Sequence, residues 1–220
     1  MPTTPVNPEP LRTNKFRFIL PLAAALVLPP QGVFYAEENP LVDLQIFIPS
    51  LRFDLRYATP DNFVGETLYP EARCLLRRET AERLARVQAA LEAKGLGLKI
   101  FDGYRPLSVQ KKLWAKYPVE GFVANPAKGS NHNRGAAVDV TLVDAAGREL
   151  PMPSSYDEFS DRAHRDYKGG PPEALANREL LREAMEREGF KGLATEWWHF
   201  DDKDAKSHPV LDLSFDLVSQ

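Results

Sequence analysis

Residues 129–143, GSNHNRGAAVDVTLV, constrain this chain more tightly than any other stretch. From Ala136 to Val143 the residues suit a strand buried on both faces, yet Asp139 sits among them. A buried carboxylate is costly unless it is paired or bound to a metal. His132 precedes it in a polar turn. Fully extended, the chain between the two would span about 23 Å at 3.3 Å per residue, so their side chains meet only if the backbone turns. Asn133-Arg134-Gly135 supplies turn formers at that point. The fold must therefore bring a bent loop and a buried strand to one polar place, where something neutralises Asp139.

A second segment offers the remaining parts. Thr195-Glu196-Trp197-Trp198-His199-Phe200 holds a Glu three residues before a His, among bulky aromatics. An odd separation on a regular strand sends two side chains to opposite faces, so a bend or bulge just after Glu196 is expected. His132, Asp139, His199 and Glu196 together make the inventory of a catalytic zinc site: three protein ligands, an open position, and a spare carboxylate to take a proton. Spacing alone leaves another reading open, in which His132 caps a turn, Asp139 bonds backbone amides and Glu196 is a solvated strand-end charge. Cys74 is the only cysteine, which excludes an intramolecular disulfide and a cysteine-based zinc site and reads as a core residue.

With 43% apolar and 27% charged residues, the chain reads as one folded domain, and its net charge of −3 with interleaved signs argues against a nucleic-acid or membrane-surface protein. Near the N-terminus, Lys15-Phe16-Arg17 precedes an apolar run from Phe18 to Leu28. That run is too short to span a bilayer and suits a secretory signal peptide over residues 1–36, so export, to the periplasm in a bacterium, is expected. Ala36 is the candidate last residue removed, although Phe34 stands where a small residue is preferred. Residues 37–220 then form the working domain.

Alternation predicts an early strand over Leu44–Ala58, with Leu51, Phe53, Leu55 and Tyr57 on one face. Helices are predicted over Thr80–Lys94, stopped by Gly95, from Pro106 to Lys116, and over Glu173–Glu188, closed by Gly189. Strands are predicted over Leu96–Phe101, Ala136–Val143, Leu193–Phe200 and Val210–Val218, with a short helix around Asp157–His164. The elements mix without regular βαβ alternation, which favours an α+β fold with a mainly antiparallel sheet.

Ser130-x-His132-x-x-Gly135-x-Ala137-x-Asp139, followed downstream by Glu196-Trp197-Trp198-His199, resembles the signature of the zinc D-alanyl-D-alanine dipeptidases of the VanX type. These belong with the D,D-carboxypeptidases and hedgehog-like folds. Arg56-Tyr57-Ala58-Thr59-Pro60-Asp61-Asn62-Phe63, Asp102-Gly103-Tyr104-Arg105-Pro106 and Ser155-Tyr156-Asp157-Glu158-Phe159 resemble dipeptidase segments in the same order, so the likeness covers about residues 42–205.

The resemblance implies one zinc per chain, held by His132, Asp139 and His199, with Glu196 as general base and Arg105 holding the oxyanion. It implies Asp157 as the partner of a substrate ammonium, with Tyr57 and Ser130 lining the pocket. Each has a plainer reading: Tyr57 as core, Ser130 as a cap near His132, Asp157 as a helix N-cap. His164 reads as structural, His208 as solvated, and Trp197 and Trp198 as packing around the site. The implied reaction is hydrolysis of D-alanyl-D-alanine to two D-alanines, in peptidoglycan metabolism or glycopeptide resistance. Its rivals are a D,D-carboxypeptidase acting on longer peptides and a non-catalytic zinc binding module.

Overall fold

The computed structural model describes residues 1–4, 39–119 and 121–217. The expected signal peptide, residues 1–36, thus lies outside the described residues apart from the first four. The elements below all fall in one compact unit, Glu37–Gln220.

Strand β1 (Leu41–Asp43) leads directly into a single helical turn, α1 (Leu44–Phe47), and the two-residue strand β2 (Arg52–Phe53) follows. Strand β3 (Leu75–Arg77) pairs antiparallel with β1 and runs straight into helix α2 (Arg78–Glu92). Next come β4 (Leu96–Asp102), α3 (Leu107–Lys116), β5 (Ala137–Asp144), α4 (Pro172–Arg187), β6 (Phe190–Leu193) and β7 (Glu196–Asp202). The main sheet has the order β2-β4-β5-β7-β6; β2 joins β4 in parallel, and every other pair is antiparallel. The fold is α+β with a mainly antiparallel sheet, as the sequence implies.

Helix α2 buries Leu84, Val87 and Leu91 at helical spacing, and α4 buries Leu181 and Met185. Both pack with Leu98, Ile100, Val138, Val140 and Leu142 of the sheet in the principal core. A second cluster gathers Tyr57, Tyr69, Tyr104, Leu113, Val123 and Phe215 on the side that carries the site. Burying each large apolar side chain contributes roughly 1.5–3 kcal/mol.

Four predicted elements differ, and of the short helix expected around Asp157–His164 a 3₁₀ turn at Asp161–Ala163 forms. The stretch 44–58 is not one strand: its buried residues Leu44, Ile48, Leu51 and Leu55 fall four, three and four apart, with Tyr57 two further on, so no single alternating face runs through it and only Arg52–Phe53 pair, as β2. Asp43 caps α1 by accepting from Gln45 N at 2.9 Å, Pro49 prevents its continuation, and Arg56–Ala58 form a 3₁₀ turn. Residues 193–200 split between β6 and β7, with a turn at Ala194-Thr195. Residues 210–218 form no ladder among the described residues, because their backbone groups bond loops and a side chain instead. Leu211 N donates to Asn133 O, Leu107 N to Leu211 O, and Leu213 N to the Tyr104 hydroxyl.

Candidate active site

Register lines up the site. Asp102 of β4 stands opposite Asp139 of β5, and Asp139 stands opposite His199 of β7, so three polar side chains form one row across three strands. The β4–β5 pairing slips between Ile100 and Asp102, which brings Asp102 into that row. His132 reaches it from the turn ahead of β5, where His132–Arg134 form one 3₁₀ turn ended by Gly135 at φ 67°. Gly135 is required there twice over, since a Cβ would also lie 2.5 Å from Leu41 Cδ2. Glu196 opens β7, where the β6–β7 register breaks: Gly192 faces Phe200 while Leu193 faces Glu196. That irregularity is the expected bend, and it leaves Glu196 Oε2 4.0 Å from His199 Nδ1.

Three donor atoms converge. His199 Nδ1 lies 3.0 Å from Asp139 Oδ1, His132 Nε2 3.4 Å from the same oxygen, and the two nitrogens are 3.1 Å apart. Donors at the tetrahedral zinc distances of about 2.0–2.1 Å stand about 3.3 Å from one another, so this set fits that ion closely. The outer nitrogens are occupied: His132 Nδ1 lies 2.7 Å from Gly103 O, and His199 Nε2 lies 2.9 Å from Asp201 Oδ1. With their protons on those outer atoms, both rings present the other nitrogen inward.

Electrostatics agree with a cation site. Burial by itself would raise Asp139, but His132 and His199 hold its carboxyl below the usual carboxylate range. Burial would lower His199, yet its bonds to Asp139 and Asp201 raise it to about 10. The pair Asp139 and His199 thus favours positive charge at its centre, which a divalent cation would supply. Burial, with Asp139 and Asp157 adding, pushes Glu196 up to about 8 against the opposing pull of His199 and Arg105.

Around this centre lies a cavity of about 300 Å³. Arg105 lines it, with its guanidinium donating from Nε and Nη2 to Asp102 Oδ2 at 3.1 and 2.6 Å and from Nη1 to Gln110 Oε1 at 2.9 Å. Asp102 also accepts from the Tyr69 hydroxyl at 2.7 Å, so the group that fixes Arg105 is itself fixed. Asp157 has φ 56°, unusual for a residue with a side chain, and its Oδ2 accepts from the Tyr57 hydroxyl at 2.9 Å. Burial first, and Asp139 second, push it up to about 8, while the Tyr57 bond lowers it.

A family model described as D-ala-D-ala dipeptidase matches residues 37–218. The chain belongs to this peptidase family. The D-alanyl-D-alanine dipeptidase of Escherichia coli (strain K12) is 40% identical over 176 residues, covering 80% of this chain and 91% of the relative. The enzyme of that name from Enterococcus faecalis is 32% identical over 187 residues, covering 74% and 91%. That from Streptomyces coelicolor is 33% identical over 191 residues, covering 77% and 93%. Peptidases of the D-ala-D-ala dipeptidase family are zinc enzymes, and His132, Asp139 and His199 form a group able to hold a metal ion here.

Every residue that the resemblance singled out lines the one cavity. The plainer readings fare differently. Asp157 caps no helix among the described residues: the nearby 3₁₀ turn, Asp161–Ala163, is capped by Ser160. Ser130 Oγ does accept from His132 N at 3.2 Å, so it braces the turn as well as facing the cavity. Tyr57 belongs to the second core and holds Asp157, with the Arg105 guanidinium 5.1 Å over its ring. Trp197 and Trp198 are core residues behind the site; Trp197 Nε1 donates to Ser154 Oγ at 2.9 Å. Cys74 is buried, and burial raises its thiol well above the ordinary value. His208 is half-buried rather than fully solvated, its carbonyl taking a bond from Arg134. Sequence reasoning missed the supporting groups: Asp102, Gln110, Asp201 and Tyr156, whose hydroxyl donates to Asp139 Oδ2 at 3.2 Å.

Proposed function

We propose that this protein hydrolyses the dipeptide D-alanyl-D-alanine to two D-alanines, with one zinc held by His132 Nε2, Asp139 Oδ1 and His199 Nδ1. When bound, zinc supplies Lewis acidity for the scissile carbonyl and makes water acidic enough to attack near neutral pH. Glu196 takes the proton from the attacking water and passes it to the departing amine. Its basicity, already lifted by burial, is drawn toward the working range by a cation nearby. Arg105 keeps N–H groups for the developing oxyanion while Asp102 and Gln110 lock its orientation. Asp157, steadied by Tyr57, receives the substrate's free ammonium, and Ser130 holds the turn that carries His132.

The observation that carries the reading is the convergence of three inward-facing donors at 3.0–3.4 Å with a buried, basic Glu196 beside them. A module that merely bound zinc would need no such base. A free-ammonium partner in the pocket, and relatives that carry the dipeptidase name, favour a dipeptide over a longer chain. Glu196→Gln tests the assignment: zinc content should stay at one per chain while kcat on D-Ala-D-Ala falls about 10³-fold or more. Near-normal kcat in that variant would remove Glu196 from the chemistry. We further read residues 1–36 as an export signal and the mature protein as periplasmic. No helix among the described residues is long and apolar enough to cross a membrane.

A further inference from the structure

The proposed substrate is a zwitterion, so its recognition needs a cation as well as Asp157. Two non-imidazole cations line the cavity, Arg105 and Lys206. Arg105 is committed: three of its nitrogens donate to Asp102 and Gln110, and its remaining N–H groups serve the oxyanion. Lys206 makes no ion pair with the described residues. It stands in the 3₁₀ turn Ala205–Ser207, just beyond β7.

Its place is fixed by the segment that carries it. Residues 202–211 strap across the 129–136 turn. Asp202 N donates to Ala136 O at one end, Leu211 N to Asn133 O at the other, and Arg134 reaches the His208 carbonyl between them. Packing is close enough that a Cβ on Gly129 would lie 2.6 Å from Val210 Cγ2. Lys206 therefore belongs to the wall formed by the Ser130–His132 turn, whereas Asp157 belongs to the wall of Tyr57, Phe63 and Phe159, which touch one another.

We propose that Lys206 is the specificity residue that receives the terminal carboxylate of the substrate. This rests on the dipeptidase reading, which puts the substrate's ammonium at Asp157 and leaves its carboxylate in need of a cation. The charge-assisted contact strengthens binding in ground and transition states alike, so its loss should appear in KM.

The test compares D-Ala-D-Ala with its C-terminal amide, D-Ala-D-alaninamide, in zinc-loaded wild type, Lys206→Met and Lys206→Arg. Lys206 is exposed, so neither change should disturb folding. In Lys206→Met, KM for D-Ala-D-Ala should rise about tenfold or more with kcat within twofold, while kcat/KM for the amide stays within twofold. Lys206→Arg should recover most of the loss. An unchanged wild-type preference for the free acid in Lys206→Met would overturn the assignment while leaving the dipeptidase reading intact. Failure of the wild type to cleave D-Ala-D-Ala at all would overturn both.

Discussion

Asp157→Asn separates recognition of the substrate ammonium from chemistry. The substitution keeps the shape and an acceptor oxygen for the Tyr57 hydroxyl, which now bonds Asp157 Oδ2 at 2.9 Å. Asn tolerates the left-handed backbone at φ 56° about as well as Asp, so the loop should hold its form. What disappears is the ionisable carboxyl, which an incoming ammonium draws into its charged form. Removing one partner of a buried charge pair costs 2–5 kcal/mol, and an exposed pair contributes about 1 kcal/mol or less. Asp157 is half-buried and lifted to about 8 by burial, so the loss falls between, at about 1.5–3 kcal/mol. That corresponds to a drop of about 10- to 150-fold in kcat/KM for D-Ala-D-Ala. N-acetyl-D-Ala-D-Ala carries no charge at its nitrogen, and its turnover should change less than twofold or improve. Initial rates over a range of concentrations of each substrate, in wild type and variant, give the ratio of ratios. Equal losses on both substrates would refute the reasoning and assign Asp157 to shape alone.

Two further outcomes follow from the same structure. His199 in the metal-free protein is raised to about 10 from an ordinary 6.5, so its contribution to stability is complete below about 6.5 and is lost as pH rises toward 10; the Tm of chelator-treated protein should fall across that window, and zinc-loaded protein should fall much less. Parallel slopes for the two forms would contradict a pair that favours positive charge where the metal binds. A protein beginning at Glu37 should fold and turn over D-Ala-D-Ala at the full-length rate, since every site residue lies beyond that point; an insoluble or inactive product would assign residues 1–36 to the fold.

Much of the site was legible because its chemistry is local. His132 and Asp139 flank a turn of Asn, Arg and Gly, Glu196 and His199 are three apart, and each pair reads as an anomaly in an apolar setting. The β6–β7 irregularity was legible for the same reason, since an odd spacing had to be reconciled with one face. The supporting shell was not. Asp102 and Asp139 become neighbours only through the β4–β5 register slip, and Asp201 meets His199 only because β7 resumes its alternation beyond the bend. Nothing in the spacing of those residues announces either contact. The misread strand over 44–58 has a different cause: Asp43 caps a helical turn that Pro49 ends after Phe47, and only Arg52–Phe53 then find a partner strand, in β4. Residues 210–217 look strand-like by composition, but the Tyr104 hydroxyl and the turn at Asn133 take the bonds that a neighbouring strand would have supplied.

Cleavage of D-Ala-D-Ala should depend on a zinc ion held by His132, Asp139 and His199. Zinc content and D-alanine release, measured together in wild type and in Asp139→Ala, decide whether it does. Asp139 supplies the only anionic ligand of the three, 3.0 and 3.4 Å from the two imidazole nitrogens, so its removal takes both a donor and the neutralising charge from the set. Wild type should hold one zinc per chain and release two D-alanines per dipeptide, and the variant should show neither stoichiometric zinc nor measurable turnover. Full zinc occupancy with undiminished D-alanine release from Asp139→Ala would rule this ligand set out.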